Sequence, residues 1–353
     1  MHIRGLVVAA LMSASLSAVA TPALAQNTPV PQGPVVPCGD VGELIRQIVA
    51  GNNRGYGSIT LSAGCTYRLT APAQPGGADG LPVITGNLVI SGSGASIVRT
   101  AATAFRIAEV ASQGTLTLNR TSVSGGSATS GSDTTGGGIL TAGRLVLVDS
   151  RVTANTATGV GGGVEVAPGG TAQLTTSSVS GNTASDGGGI HVSPSGRLVL
   201  NRSSLTGNSA ASTGGGLATF GNTDLAAAVV RGNTTGNFEG GGIYAGAGTL
   251  TVDGGDISNN TAHSNGGGIA NFGATVRLNG TAVRDNSASA GGGLYNYAGD
   301  TRLTRSRVTG NKATTSGGGI LRAGGSVTLI GTAVLANQPD NCAPAGTIPG
   351  CTG

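Results

Sequence analysis

Glu165 and His191 have the side chains that acid–base chemistry uses: a carboxylate and an imidazole that can hold and pass a proton. They stand 26 positions apart, so they meet only if the chain returns to the same place with that period. A polysaccharide lyase or hydrolase needs more, namely clustered carboxylates for calcium or for proton transfer. Asp186 lies five residues before His191. On an extended chain, at up to about 3.3 Å per residue, it is too far away to complete a site. Asp149, Asp253, Asp256, Asp285 and Asp300 fall at other places in the period and supply no second carboxylate. Glu165 and His191 therefore read as a surface pair worth about 0.2–1 kcal/mol, and they are the weak catalytic candidates of this chain.

The aromatic residues form a second constellation. Of the four Phe and five Tyr, six lie between Phe220 and Tyr297, and there is no Trp. Tyr244 and Tyr295 share one position of the period, and Phe220, Phe272 and Tyr297 share the position two residues on. Alternation in a strand puts both positions on the same face, so these five rings are expected as an outward strip able to stack on sugar rings. The alternative is that they merely cover the sheet, because aromatics suit strands. Asn271 and Asn296, between the two positions, would face inward and extend an amide ladder.

The period itself comes from glycine. A Gly-Gly-Gly-aliphatic motif begins at Gly136, Gly161, Gly187, Gly214, Gly240, Gly266, Gly291 and Gly317, at intervals of 25 to 27 residues. An aliphatic residue three before an Asn keeps the same beat, from Val152/Asn155 and Val179/Asn182 to Val308/Asn311 and Val334/Asn337. An earlier copy, Val123/Gly126, lacks the Asn. Alternating pairs such as Leu145/Leu147 and Leu250/Val252 precede each of these aliphatics. A fixed period of this size means a solenoid, and three short apolar segments per period predict a triangular coil with three parallel sheets. The fold class is thus all-β, a right-handed parallel β-helix of about ten coils of about 26 residues. Stacked Asn amides would bond along the rod and satisfy backbone groups left by the bend. Glycine triplets exclude a helical solenoid. They also lack the Asp of calcium-binding nonapeptide repeats.

The paired motifs GGG[ILV] and [VIL]xxN resemble the GGA[ILV] and FxxN repeats of chlamydial polymorphic outer-membrane proteins. They look closer still to secreted bacterial right-handed parallel β-helix repeat proteins. The likeness covers Val123 to Asn337 and implies a surface-exposed or secreted rod, often an adhesin. Here Val, Ile or Leu replaces the Phe, and no C-terminal barrel is expected to follow, so autotransport is not implied.

The remaining sequence sets the ends. Residues 1–25 read as a signal peptide, with basic His2 and Arg4, an apolar run from Leu6 to about Ala20, and a small-residue site at Ala23-Leu24-Ala25. Residues 26–37 are expected as a disordered linker, and 38–115 as an N-terminal cap with irregular first coils. The repeats span 116–340, and 341–353 form a disulfide-pinned tail. Within the cap, Asp40 precedes Val41, Leu44, Ile45 and Ile48 at helical spacing, which predicts a capped amphipathic helix over Asp40–Ala50 that closes the end of the core. The four cysteines favour Cys38–Cys65 and Cys342–Cys351, implying an oxidising compartment and a secreted or cell-surface protein. No CxxC spacing points to zinc, and no metal or cofactor is expected.

Seven basic residues from Arg277 to Arg322 (Arg277, Arg284, Arg302, Arg305, Arg307, Lys312 and Arg322) face only Asp285, Asp300 and Asp340 over 270–353. They read as a solvated face, with attraction for an anionic cell-wall polymer as the alternative. Nucleic acid is not an expected partner, and no transmembrane segment is expected. The position between the paired leucines (Thr117, Val146, Gln173, Val199, Asp224, Thr251, Arg277, Arg302, Thr328) is too mixed for an ice-binding array. The leading functional reading is a non-enzymatic extracellular repeat protein for adhesion or glycan binding. The runner-up is a carbohydrate-active β-helix enzyme.

Overall fold

Strand pairing follows the glycine beat. In a computed structural model describing residues 33–129 and 133–351, Ile139 pairs with Val164, Val164 with Ile190, and Ile190 with Leu217, always in parallel. The chain is a parallel β-solenoid of about twelve turns at a spacing of about 26 residues. That is two more than the ten expected, because the irregular stretch already coils: Tyr56–Leu61 pairs with Asn87–Arg99, and that strand with Thr115–Ser124. Three sheets result, of 21, 8 and 10 strands.

Each regular coil holds four strands rather than three. One coil runs Ile139–Thr141, Arg144–Val148, Arg151–Thr153 and Thr156–Ala157. The second and third both join the 21-stranded sheet. The fourth contributes one small inward side chain, such as Ala157, Ala184 or Ala210. The core is built of columns: Ile139, Val164, Ile190, Leu217, Ile243, Ile269, Leu294 and Ile320 are all buried, as are most of the paired leucines and the aliphatics before each Asn, with Leu329 and Val334 of the last coil partly buried.

Four turns link the strands of a coil, and three of them contain a left-handed residue. In one coil these are Asp149 (φ 49°), Ala154 (φ 52°) and Gly161 (φ 68°). The triplet needs glycine for two reasons. Gly161 must adopt the left-handed conformation. A Cβ on Gly162 or Gly163 would lie 2.5 or 2.6 Å from the carbonyl oxygen of Gly188 or Gly189 in the next coil.

Bends leave backbone groups without strand partners, and the buried asparagines take them up. Asn233 Oδ1 accepts both the Asn208 N–H (2.9 Å) and Asn208 Nδ2 (3.0 Å). Asn233 Nδ2 donates to the Leu205 carbonyl and to Asn260 Oδ1, each at 3.0 Å. The same bonds repeat from Asn155 to Asn337, where Asn341 Oδ1 ends the row. At the other end, Gly126 donates its N–H to Asn155 Oδ1, so the coil without Asn still joins the ladder. A second, interrupted ladder uses hydroxyls at the other bend. Oγ of Ser150, Ser177 and Ser203 accepts the N–H of Thr121, Ser150 and Ser177. It stops at Ala228 and Gly255 and resumes at Thr281, Ser306 and Thr332.

A helix closes the N-terminal end of the core, whereas the last coil leaves Leu329 and Val334 only partly buried. The helix spans Val41–Arg54, with Asp40 capping the Glu43 N–H and Gly55 ending it in the left-handed conformation (φ 80°). Leu44, Ile48 and Gly51 face the core. Asn52 pins the helix to the Val83–Gly86 turn by donating to the Val83 carbonyl and accepting from the Thr85 and Gly86 N–H groups. Disulfides join Cys38 to Cys65 and Cys342 to Cys351. The signal peptide reading and residues 26–32 of the linker lie outside the described residues. Within the rest of that linker, Val35–Val36 is a strand paired with Thr60–Leu61. At the far end, Cys342–Ala343 still pairs with Ile320–Leu321, so the sheet continues into the tail.

Replacing Asn233 with Ala orphans the Asn208 N–H and the Leu205 carbonyl together with one bond on each neighbouring amide. At about 1–3 kcal/mol per unsatisfied buried group, we expect a loss of roughly 3 kcal/mol or more. Thr234→Ala, at the exposed next position, should change stability by less than about 0.5 kcal/mol. Urea denaturation of both variants checks this, and equal midpoints would contradict it.

Candidate functional site

The outward face of the ten-stranded sheet collects the residues that follow each inward aliphatic. Strand register places Leu140, Glu165, His191, Ala218, Tyr244, Ala270, Tyr295 and Leu321 in one row. The glycine triplet folds back over this row. A Cβ on Gly187 would stand 2.8 Å from the His191 Cβ, and one on Gly291 would stand 2.8 Å from the Tyr295 Cβ.

That reversal corrects one expectation. Glu165 and His191 are adjacent as the period required, yet they are buried, at 3% and 7% exposure, instead of forming a surface pair. His191 Nδ1–H donates to Glu165 Oε2 at 2.7 Å, and Ser193 Oγ donates to Oε1 at 2.8 Å. Asp186 does not join the pair: its carboxylate is held by Thr213, whose N–H and Oγ1 donate to Oδ1 at 3.2 and 2.7 Å.

The five aromatic residues come together as the strip the spacing implied. Ring centroids run from Phe220 to Tyr244 at 5.8 Å, Tyr244 to Phe272 at 5.2 Å, and Phe272 to Tyr295 at 5.9 Å. Phe272 and Tyr297 are stacked at 5.0 Å, and Tyr295 lies 6.4 Å from Tyr297. These are favourable aromatic pair distances. His191 extends the row, 5.5 Å from Phe220. Phe220, Tyr244, Phe272 and Tyr295 are half-buried, while Tyr297 is 52% exposed. Beneath them Asn271 and Asn296 face inward and bond at 3.0 Å, and Thr301 donates to Asn296 Oδ1 at 2.7 Å.

Charge along this strip is negative. Burial pushes the Tyr244 phenol above its ordinary pKa, and the Glu239 and Asp186 carboxylates add to the rise. Tyr295 is raised in the same way, by burial first and then by Glu239. Glu239 is itself raised by burial, opposed by a bond from Asn265 Nδ2 at 3.4 Å. The basic residues lie elsewhere: Arg277 and Arg302 pair in the long sheet, and Arg284 bonds Asp256 and Asp285.

Sequence reasoning missed three features. Glu239 occupies the position just before the triplet, the position Asp186 holds two coils earlier, so the period could have found it. Phe238 beside it is exposed on a loop outside the repeating positions. Arg106, wholly buried in the first coils, is ringed by Asp79 (3.5 Å), Glu109 (2.9 Å) and Asp133 (3.0 Å). Burial pushes Asp79 up to about 6, with Arg106 opposing the rise and Glu109 and Asp133 adding to it. Among the described residues, no group of three or more His, Cys, Asp or Glu side chains could hold a metal ion, and no helix is long and apolar enough to cross a membrane.

No protein-family model, no curated protein and no solved structure matches the chain. The fold and the site therefore define it as a parallel β-solenoid with one aromatic, acidic face.

Burial makes the Glu165–His191 contact stronger than a surface pair. A double-mutant cycle with Glu165→Ala and His191→Ala should give a coupling energy above about 1 kcal/mol, and a value within the surface range of about 0.2–1 kcal/mol would contradict the buried arrangement.

Proposed function

We propose that this chain is a non-enzymatic extracellular repeat protein that binds a polysaccharide or cell-surface glycan along the strip from Phe220 to Tyr297. The observation that carries this reading is the unbroken run of ring contacts on one sheet face, open at Tyr297. Aromatic faces offer contact area with few rotors to freeze, and a parallel solenoid repeats them at the strand spacing of about 4.8 Å. Two disulfides support an oxidising compartment, and the resemblance to surface-exposed repeat proteins points the same way.

A carbohydrate-active enzyme is the second reading, favoured by the buried Glu165–His191 pair at the head of the strip. Nδ1 is bound to the carboxylate, which leaves Nε2 as the nitrogen able to exchange a proton. The carboxylate is shared with Ser193, and that favours a structural role.

A glycan array on the mature chain, followed by Tyr297→Ala, tests the proposal. One stacking contact worth about 1 kcal/mol predicts a roughly fivefold loss of affinity with unchanged melting. Unchanged affinity, or release of reducing ends by the wild-type chain, would overturn the non-enzymatic binding role.

A further inference from the structure

We propose that the strip selects an amine-bearing polysaccharide, with Glu239 as the residue that reads the positive charge. This rests on the glycan-binding reading and deepens it. The chain as a whole is basic, with 19 Lys and Arg against 15 Asp and Glu. Around the strip, however, carboxylates gather. Glu165 stands at the head of the strip, and Asp186 and Glu239 stand along its flank, one residue before the glycine triplets that fold over it.

Most bases of the same coils belong to other sheets. Arg277 and Arg302 are partners in the long sheet, as are Arg284 and Arg307 with their neighbours. Lys312 belongs to the eight-stranded sheet. Arg322 is in the ten-stranded sheet, one coil beyond Tyr295. It is in register with the inward-facing Asn296, and its Nε donates to the Gly325 carbonyl at 2.8 Å.

Two carboxylates beside the strip differ in what they have left to give. Asp186 is filled: Oδ1 accepts twice from Thr213, and Oδ2 accepts from Ser185 Oγ at 3.2 Å. Glu239 is less fully held: Asn265 Nδ2 donates to Oε1 at a long 3.4 Å, its own backbone N–H is a second donor, and the half-buried carboxylate keeps acceptor capacity for a ligand. Glu239 also acts on the phenols of both Tyr244 and Tyr295, so its charge reaches two rings of the strip.

A ligand ammonium would fill that acceptor with a charge-assisted bond, which is stronger than one from a neutral donor. The ring faces favour the same ligand, because a cation over a Tyr or Phe face is attracted by its quadrupole. A uronate polymer would meet like charge from Asp186 and Glu239. The seven bases from Arg277 to Arg322 therefore do not make this face a site for an anionic polymer.

The test compares three soluble oligosaccharides of equal length by calorimetry at low salt and mildly acidic pH: a glucosamine oligomer with free amines, its N-acetylated counterpart, and a galacturonate oligomer. The expected order is free amine first, by about tenfold over the acetylated form, with the uronate weakest. Added salt should erode the preference. Glu239→Gln should weaken binding of the free-amine oligomer about tenfold and bring the two ratios together. Asp300→Asn, on the long sheet, should keep the preference. Equal binding of amine and acetylated forms, tightest binding of the uronate, or a preference that survives Glu239→Gln would overturn the inference while leaving glycan binding intact. Absence of binding to all three would overturn the glycan reading and this inference with it.

Discussion

A buried primary amide has four hydrogen-bonding demands, and in this rod they are met only when the next coil places its own Asn at the same point. Asn233 takes two bonds on Oδ1 from the preceding coil. It gives one from Nδ2 back to that coil and one forward to Asn260. A coil that slipped by one residue would leave all four groups unsatisfied in a dry interior, at about 1–3 kcal/mol each. The ladder thus acts less as glue than as a register lock. Aliphatic columns tolerate a sliding neighbour, because burial has no direction. The amide row does not.

Everything columnar in the molecule depends on that lock. Insertions and deletions of one residue between triplets are absorbed in the turns, so intervals of 25, 26 and 27 still deliver Ile, Val or Leu to one line. The same alignment brings Phe220, Tyr244, Phe272, Tyr295 and Tyr297 into contact although they are spread over 78 residues of chain. It also sets Asp186 and Glu239 at one position of the period, flanking the aromatics, while Arg277 and Arg302 share another in a different sheet.

Much of this was legible in the sequence because the period turns position into place. The Asn row, the aliphatic columns, the capping helix begun by Asp40 and both disulfide pairs follow from residue type and spacing alone. What escaped reading had a weak or misleading signal. The fourth strand carries one inward residue, usually Ala, too small to mark a hydrophobic segment. The hydroxyl ladder is broken at Ala228 and Gly255, which hides its periodicity. Burial of Glu165 and His191 depends on a glycine triplet doubling back over the sheet. Alternation assigns only inward and outward, and it is silent on what then covers the outward side. Arg106 sits in coils with no regular repeat, so nothing in its spacing announced three carboxylates around it.

The backbone N–H groups of Asn182, Asn208, Asn233 and Asn260 are held by side-chain amide oxygens rather than by backbone carbonyls. Native-state hydrogen exchange at these four positions tests the register lock directly. If the ladder sets the register, they exchange as slowly as the neighbouring strand amides, such as that of Leu205. Exchange as fast as in the exposed turns, with the strand amides still protected, would show that the amide row is incidental and that side-chain packing alone aligns the coils.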